Sequence, residues 1–228
     1  MVELWLTRHG ETEYNTKRIV QGVVNSNLTE RGAADAQALG RGFAKLDVHF
    51  DATFVSDLQR TSDTAQLALT AANIKLPITK VPGLRELNFG MFEGNPESQR
   101  QDALAGLLEN AGVQNVNTFN MKQMVNLVRV LDVHNGNSTA ENGTMSVKRF
   151  SNALIKIAQD AEAAGQERIF IVAHGAVIWL LLNTLGMPEN YHSIRNVAVS
   201  KVIYGQGKLT MASYDDRKYV EAGGGRKI

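Results

Sequence analysis

The sequence predicts an α/β fold whose chemistry sits at the C-terminal ends of its strands. Two stretches carry that expectation. Val2 to Thr7 is a short apolar run, charged only at Glu3, and it stops abruptly at Arg8-His9-Gly10. Arg168 to Ala173 is a second such run, and it stops at His174-Gly175 before a helix-like segment. Core strands have no need of imidazoles at their tips, whereas ligands bind at the C-terminal edge of open α/β sheets.

Taking the elements in order, the segment from Glu11 to Asn27 is polar and irregular and reads as a loop at a strand end, where function concentrates. Thr29 can cap a helix running to about Leu46, with Ala36, Leu39, Gly40, Phe43 and Leu46 on one face. Ala52 to Val55 reads as a strand. Ser56 and Gln59 then form a capping box, which places Arg60 in the first turn of the next helix. Backbone N–H groups and the helix dipole already favour an anion there, and Arg60 duplicates the charge of Arg8. The guanidinium fork of each is well shaped for phosphate.

Ile78 to Val81 is a further strand candidate, followed by a loop from Gly83 to Gly94 that mixes charge, apolar residues and glycine. On local grounds alone, Glu86 in that loop reads as half of a surface ion pair with Arg85. From about residue 95 to 150 the pattern is that of a helical insertion, either a lid over substrate or a layer covering the sheet. Leu104, Leu107 and Leu108 mark one helix, Met121 to Leu131 a second, and Val147 to Ala161 a third. The methionines read as core filler. The chain closes with a hairpin, Ala198 to Tyr204 and Lys208 to Ser213, suited to an antiparallel sheet edge, and a glycine-rich basic tail from Glu221 expected to be poorly ordered.

Composition narrows the function classes. With 228 residues and 43% hydrophobic content the chain supports one domain, residues 1–228, with a full core. With 24 basic and 23 acidic residues it carries no broad field for nucleic acid or a membrane surface, so any anion site is local. Cysteine is absent, which removes thiolate metal sites and cysteine nucleophiles. No targeting signal is expected, and the location read from these features is cytoplasmic. The apolar stretch from Ile169 to Met187 reads as strand, turn and buried helix, because His174, Gly175, Asn183 and Gly186 interrupt it. His49, His134 and His192 read as ordinary surface residues.

Jointly these motifs resemble the histidine phosphatase superfamily, in the branch containing the cofactor-dependent phosphoglycerate mutases. The matching pieces are Arg8-His9-Gly10-Glu11-Thr12 with Asn15, Gln21-Gly22, and Leu28-Thr29-Glu30-Arg31-Gly32. They continue with Ser56-Asp57-Leu58-Gln59-Arg60-Thr61, Leu84-Arg85-Glu86, Phe89-Gly90, Glu93-Gly94 and Val172-Ala173-His174-Gly175, all in the family's order. Two departures stand out: Asn25-Ser26-Asn27 where the family often has Asp and Pro, and Glu141-Asn142-Gly143 where Gly-Glu-Ser is common. No substrate residue is assigned in the insertion.

The resemblance implies a central, mostly parallel sheet flanked by helices. It also implies that His9 is the nucleophile that becomes phosphorylated and that Glu86 donates the proton. Arg8, Arg60, His174 and Asn15 would bind the phosphoryl group, with Gln21, Gly22 and Gly175 next to the substrate. Two arginines and a histidine can supply the charge stabilisation that phosphoryl transfer needs, so neither metal nor other cofactor is expected. Metal binding by His9 and His174 is the competing reading, and it lacks any helical His-Glu-x-x-His pattern. The expected activity is hydrolysis of a small phosphomonoester through phosphohistidine. The runner-up is a phosphoglycerate mutase, and a non-catalytic phospho-ligand binding module is the alternative from another class. The insertion offers Arg100, Lys122, Arg129, Lys148 and Arg149, dispersed and with no tight cluster expected beside Glu86. The expected partner is a small phosphorylated metabolite; the sequence assigns no oligomeric state.

Overall fold

The structure, a computed structural model, describes residues 1–111 and 120–227. Six strands form one sheet: β1 (Val2–Arg8), β2 (Ala52–Val55), β3 (Ile78–Lys80), β4 (Arg168–Ala173), β5 (Val199–Gly205) and β6 (Lys208–Asp216), in the order β3-β2-β4-β1-β5-β6. The first four in that order run parallel, and β5 and β6 add an antiparallel edge. The helices are α1 (Glu13–Thr16), α2 (Glu30–Lys45), α3 (Gln59–Ala71), α4 (Glu97–Asn110), α5 (Met121–His134), α6 (Gly143–Ala163), α7 (Gly175–Thr184) and α8 (Lys218–Ala222).

Strand alternation divides the core between the two faces. Leu4, Leu6, Ile169 and Ile171 point to one side, where they pack with Phe150 and Leu154 of α6 and with Ile178 and Leu182 of α7. Trp5, Phe170 and Val172 point to the other, against Leu39 and Phe43 of α2 and Ala65 and Leu69 of α3. Burial on both faces explains why β4 is apolar without alternation. α7 is apolar nearly all round because it too is buried, from Gly175 through Leu182 except Ala176. Among the described residues no helix is long and apolar enough to cross a membrane.

The parallel register positions the site. Arg8 pairs with Ala173, so His9 and His174 leave the sheet side by side. Val55 pairs with Val172, which brings Ser56 to the same edge. The expected insertion is present as α4 and α5, whose Leu104, Val128 and Leu131 form a separate small core with Val20 and Phe92. Met124 packs against that core and Met121 against the main one, as fillers should, and Met121 also lines a cavity described below.

Three expectations need correction. The Glu11–Asn27 loop contains a short helix, α1, whose N-cap Thr12 forms a capping box with Asn15. The Ser56–Gln59 capping box does not form. Leu58 is the N-cap of α3 and gives it no side-chain bond, while Gln59 turns outward to Asp63 at 2.6 Å. The first part of the tail is ordered by its contacts: it follows Tyr219 and Val220 of α8, which are buried against α2, Arg41 Nε donates to Gly223 O at 2.9 Å, and Gly225 N donates to Val220 O at 2.8 Å. A Cβ on Gly42 would lie 1.7 Å from Tyr219 O, so glycine there is what lets α8 approach α2.

Candidate active site

His9 continues directly from β1, and its backbone N–H still donates to Ala173 O at 3.0 Å. Its Nδ1 lies 2.8 Å from Gly10 O, an atom that only accepts, so Nδ1 carries the proton and the lone pair is left on Nε2. Burial, and then the charges of Arg60 and Arg8, hold the ring well below the ordinary histidine pKa, so it is neutral. A neutral imidazole with a fixed tautomer and a free Nε2 is equipped as a nucleophile. Gly10 is tightly enclosed, since a Cβ there would come 2.7 Å from Gly32 O.

His174 stands across from His9, ring centroids 5.3 Å apart. Its Nε2 is 2.8 Å from Ser56 Oγ. Thr61 Oγ1 donates to Leu58 O at 2.7 Å, so in its own contact with Thr61 (3.0 Å) Ser56 is the donor and is left to accept from His174. The hydroxyl that the capping box claimed therefore orients the second histidine instead. Burial and the neighbouring cations Arg60 and Arg8 also depress His174 far below its ordinary range.

Both arginines are held by backbone carbonyls. Arg8 Nη1 donates to Ile194 O at 2.6 Å. Gly175 makes room for this side chain, because a Cβ there would sit 3.0 Å from Arg8 Cδ. Arg60 is fully buried, and its Nη1 and Nη2 donate to Val24 O at 2.8 Å and Gly22 O at 2.5 Å. Desolvation pushes its pKa down to about 10, which leaves it charged at neutral pH. Seven buried side-chain polar atoms lack a partner among the described residues, and three of them, Arg8 Nε, Arg60 Nε and His174 Nδ1, belong to the side chains grouped around His9. Buried nitrogen atoms are rarely left unpaired, and here three occur on side chains that neighbour His9.

Glu86 is buried at 6% exposure and is not a surface partner of Arg85, which pairs instead with Asp57 at 2.6 and 2.5 Å. Its carboxyl accepts from Ala176 N (2.9 Å) and Val177 N (2.8 Å) at the first turn of α7, and from its own neighbour Leu87 N (3.1 Å). Burial raises its pKa and those three N–H groups pull it back, with the net shift upward. That is the direction a proton donor requires.

Glu86 and Arg8 line a cavity of about 480 Å³, together with Asn15, Gln21, Gly175, Phe89, Arg100 and Met121. His9, Arg60 and His174 are buried and do not themselves line the cavity; their link to it is through Arg8 and Glu86, whose charges act on them. Gln21 is set by Thr12 Oγ1 (2.8 Å) and Ser26 Oγ (2.9 Å). Gly22 differs from Gln21, its neighbour in the expected site. It does not line the cavity, and its contribution is the carbonyl that grips Arg60.

Several supporting residues were not singled out from the sequence. Asn196 Nδ2 donates to His9 O at 2.8 Å, and Val197 N donates to Arg8 O at 3.0 Å. The strap that carries them is tied to the sheet by Asp215, which accepts from Arg195 N at 2.7 Å and Nε at 2.6 Å. Arg149 is bonded to Gly83 O, Arg85 O and Glu86 O at 3.0, 2.9 and 3.2 Å and pairs with Glu141 at 2.6 Å. Of the cations expected in the insertion, Arg149 is thus beside Glu86, spent on holding its loop. Among the described residues, no group of three or more His, Asp or Glu side chains is placed to hold a metal ion.

Comparison with known proteins agrees with this architecture. The chain is 31% identical over 208 residues to a probable phosphoglycerate mutase of Yersinia pestis, covering 90% of this chain and 86% of that one. It is 25% identical over 226 residues to a broad-specificity phosphatase of Saccharomyces cerevisiae, covering 96% and 84%. A solved phosphoglycerate mutase from Bacillus anthracis superposes with a TM-score of 0.88 at 32% identity, covering 98% of this chain and 96% of that one. Residues 4–217 match the histidine phosphatase superfamily (branch 1), and the chain belongs to that family.

Proposed function

We propose that the protein is a phosphatase that hydrolyses small phosphomonoesters through a phosphohistidine at His9. The observation that carries this reading is the set of three unpartnered buried nitrogens, on Arg8, Arg60 and His174, grouped around a neutral histidine. The oxygens of a phosphoryl group supply the missing acceptors and match the charge. His174 completes its part by carrying a second proton on Nδ1 when the anion is bound.

In the first step the Nε2 lone pair of His9 attacks phosphorus and the ester P–O bond breaks. Glu86 passes its proton to the departing oxygen. Arg8, Arg60 and His174 stabilise charge on the equatorial oxygens as it develops. In the second step Glu86, now a carboxylate, takes a proton from water as its oxygen attacks the phosphohistidine, releasing inorganic phosphate and restoring His9. Dividing the reaction at a covalent intermediate replaces one difficult displacement with two easier ones.

A phosphoglycerate mutase is the second reading, favoured by the likeness to chains of that name. A mutase must keep its phosphohistidine from water and needs spare cations for the glycerate carboxylate. The cations near this site are already engaged: Arg149 on carbonyls and Glu141, Arg100 on Glu97. The two readings separate when the enzyme is given 3-phosphoglycerate and 2,3-bisphosphoglycerate. The phosphatase reading expects free phosphate in step with substrate loss; isomerisation to 2-phosphoglycerate much faster than phosphate release would replace it with the second.

A further inference from the structure

We propose that Glu97 and Arg100, paired at the start of α4, set the ligand preference of the cavity by favouring phosphomonoesters whose organic part carries no negative charge. The inference rests on the cavity being the substrate site described above. Among its described lining residues the cations are Arg8 and Arg100. Arg8 belongs to the group around His9 and is further engaged by Ile194 O. Arg100 is the cation left for a substrate's second anionic group, and its guanidinium is already taken by Glu97. Nε lies 3.1 Å from Glu97 Oε2, and Nη2 contacts Oε1.

The pair is sheltered, with side-chain exposures of 18% for Arg100 and 28% for Glu97. It is also pinned in place. Arg100 lies over the Phe89 ring at 5.7 Å from its centroid, and Glu97 N donates to Arg18 O at 2.8 Å. A substrate carboxylate would therefore meet a neutralised cation and the facing charge of Glu97, in a partly desolvated wall where like charges repel strongly. The remaining wall suits an uncharged or aromatic group, since Ile19, Val20, Phe89 and Met121 supply apolar surface. Specificity of this kind is set by what the site opposes as much as by what it attracts.

The test compares two non-hydrolysable ligands, phenylphosphonate and phosphonoacetate, by titration calorimetry on the wild type, Glu97→Gln and Arg100→Gln. The wild type is expected to favour phenylphosphonate. Glu97→Gln frees Arg100 and shifts the affinity ratio toward phosphonoacetate by about tenfold, and Arg100→Gln shifts it the opposite way, as removal of opposite charges beside one ligand requires. A purely structural pair would move both ratios in the same direction. That result, an unchanged ratio in Glu97→Gln, or no binding of either phosphonate would overturn the proposal. Binding does not depend on turnover: opposed shifts in an enzyme inactive on every phosphomonoester would sink the phosphatase reading alone, and normal turnover without opposed shifts would sink this one alone.

Discussion

The C-terminal edge of the sheet and the helical insertion both contain arginines, and they use them in different ways. At the edge, Arg8 and Arg60 are anchored by backbone carbonyls of Ile194, Gly22 and Val24, which leaves each with a buried Nε unpartnered. In the insertion and the helix that follows, Arg100 is matched by Glu97 and Arg149 by Glu141. A carbonyl orients a guanidinium and leaves its net charge available to a ligand, whereas a carboxylate cancels it. The difference teaches that the location of positive charge in this chain is decided less by where arginines occur than by what anchors them.

That contrast can be broken most directly at Glu86, which belongs to the edge through the N–H groups of α7. Glu86→Gln is expected to lower kcat by about 10²–10⁴-fold on an alkyl phosphate, the range for loss of a general acid, and by far less on p-nitrophenyl phosphate, whose leaving group needs little protonation. Equal losses on both substrates would assign Glu86 a structural role. A second break is Arg60→Ala, expected to cost about 10²–10³-fold in kcat/KM, as removal of a transition-state donor does. Lys122→Ala on α5, an exposed cation of the insertion, should change kcat/KM by no more than about twofold. Similar losses in the two variants would erase the distinction between the regions.

The sequence made the edge legible because its signals are local. A strand that ends in Arg8-His9-Gly10 and another that ends in His174-Gly175 mark their place at the sheet edge within ten residues. The register Arg8–Ala173 then brings those two signals together. What escaped notice depends on contacts between distant residues. Asn196 reaches His9 O across 187 positions, and Arg149 reaches Arg85 O across 64, with no periodicity to mark either. Ser56 was legible in position but misread in purpose. A serine three residues before a glutamine at a strand end has the form of a capping box, and only the placement of His174 shows that the hydroxyl is better used on the imidazole. The tail was misjudged for a related reason: its glycines suggest disorder, but Gly223 and Gly225 are what allow it to lie against Ala38 of α2.

A smaller effect sharpens the comparison through stability. His9 and His174 are held neutral in the folded protein, with pKa values well below the ordinary 6.5. In the unfolded chain both take up a proton below about pH 6.5, so the unfolded state binds more protons there. Stability is therefore fully present above that pH and declines as pH falls, with a limiting slope of about 2.7 kcal/mol per pH unit for two protons. Glu86, whose folded pKa is raised, acts in the opposite sense between its unfolded and folded values, but it is common to both proteins compared, so the histidine contribution is read as their difference across a window of about pH 6.5 to 5. Chemical denaturation across that window should show a steep loss in the wild type and a flatter one in His9→Asn/His174→Asn. Parallel profiles would mean that the two rings are not held neutral.

The covalent intermediate is the central claim, and rapid quench of the enzyme during turnover of a ³²P-labelled phosphomonoester tests it most directly. The account predicts a phosphoryl group on His9 that is labile in acid and stable in base, and that is absent from the folded but inactive His9→Ala variant. Label recovered instead as an acid-stable ester on serine or threonine, with turnover surviving in His9→Ala, would contradict it.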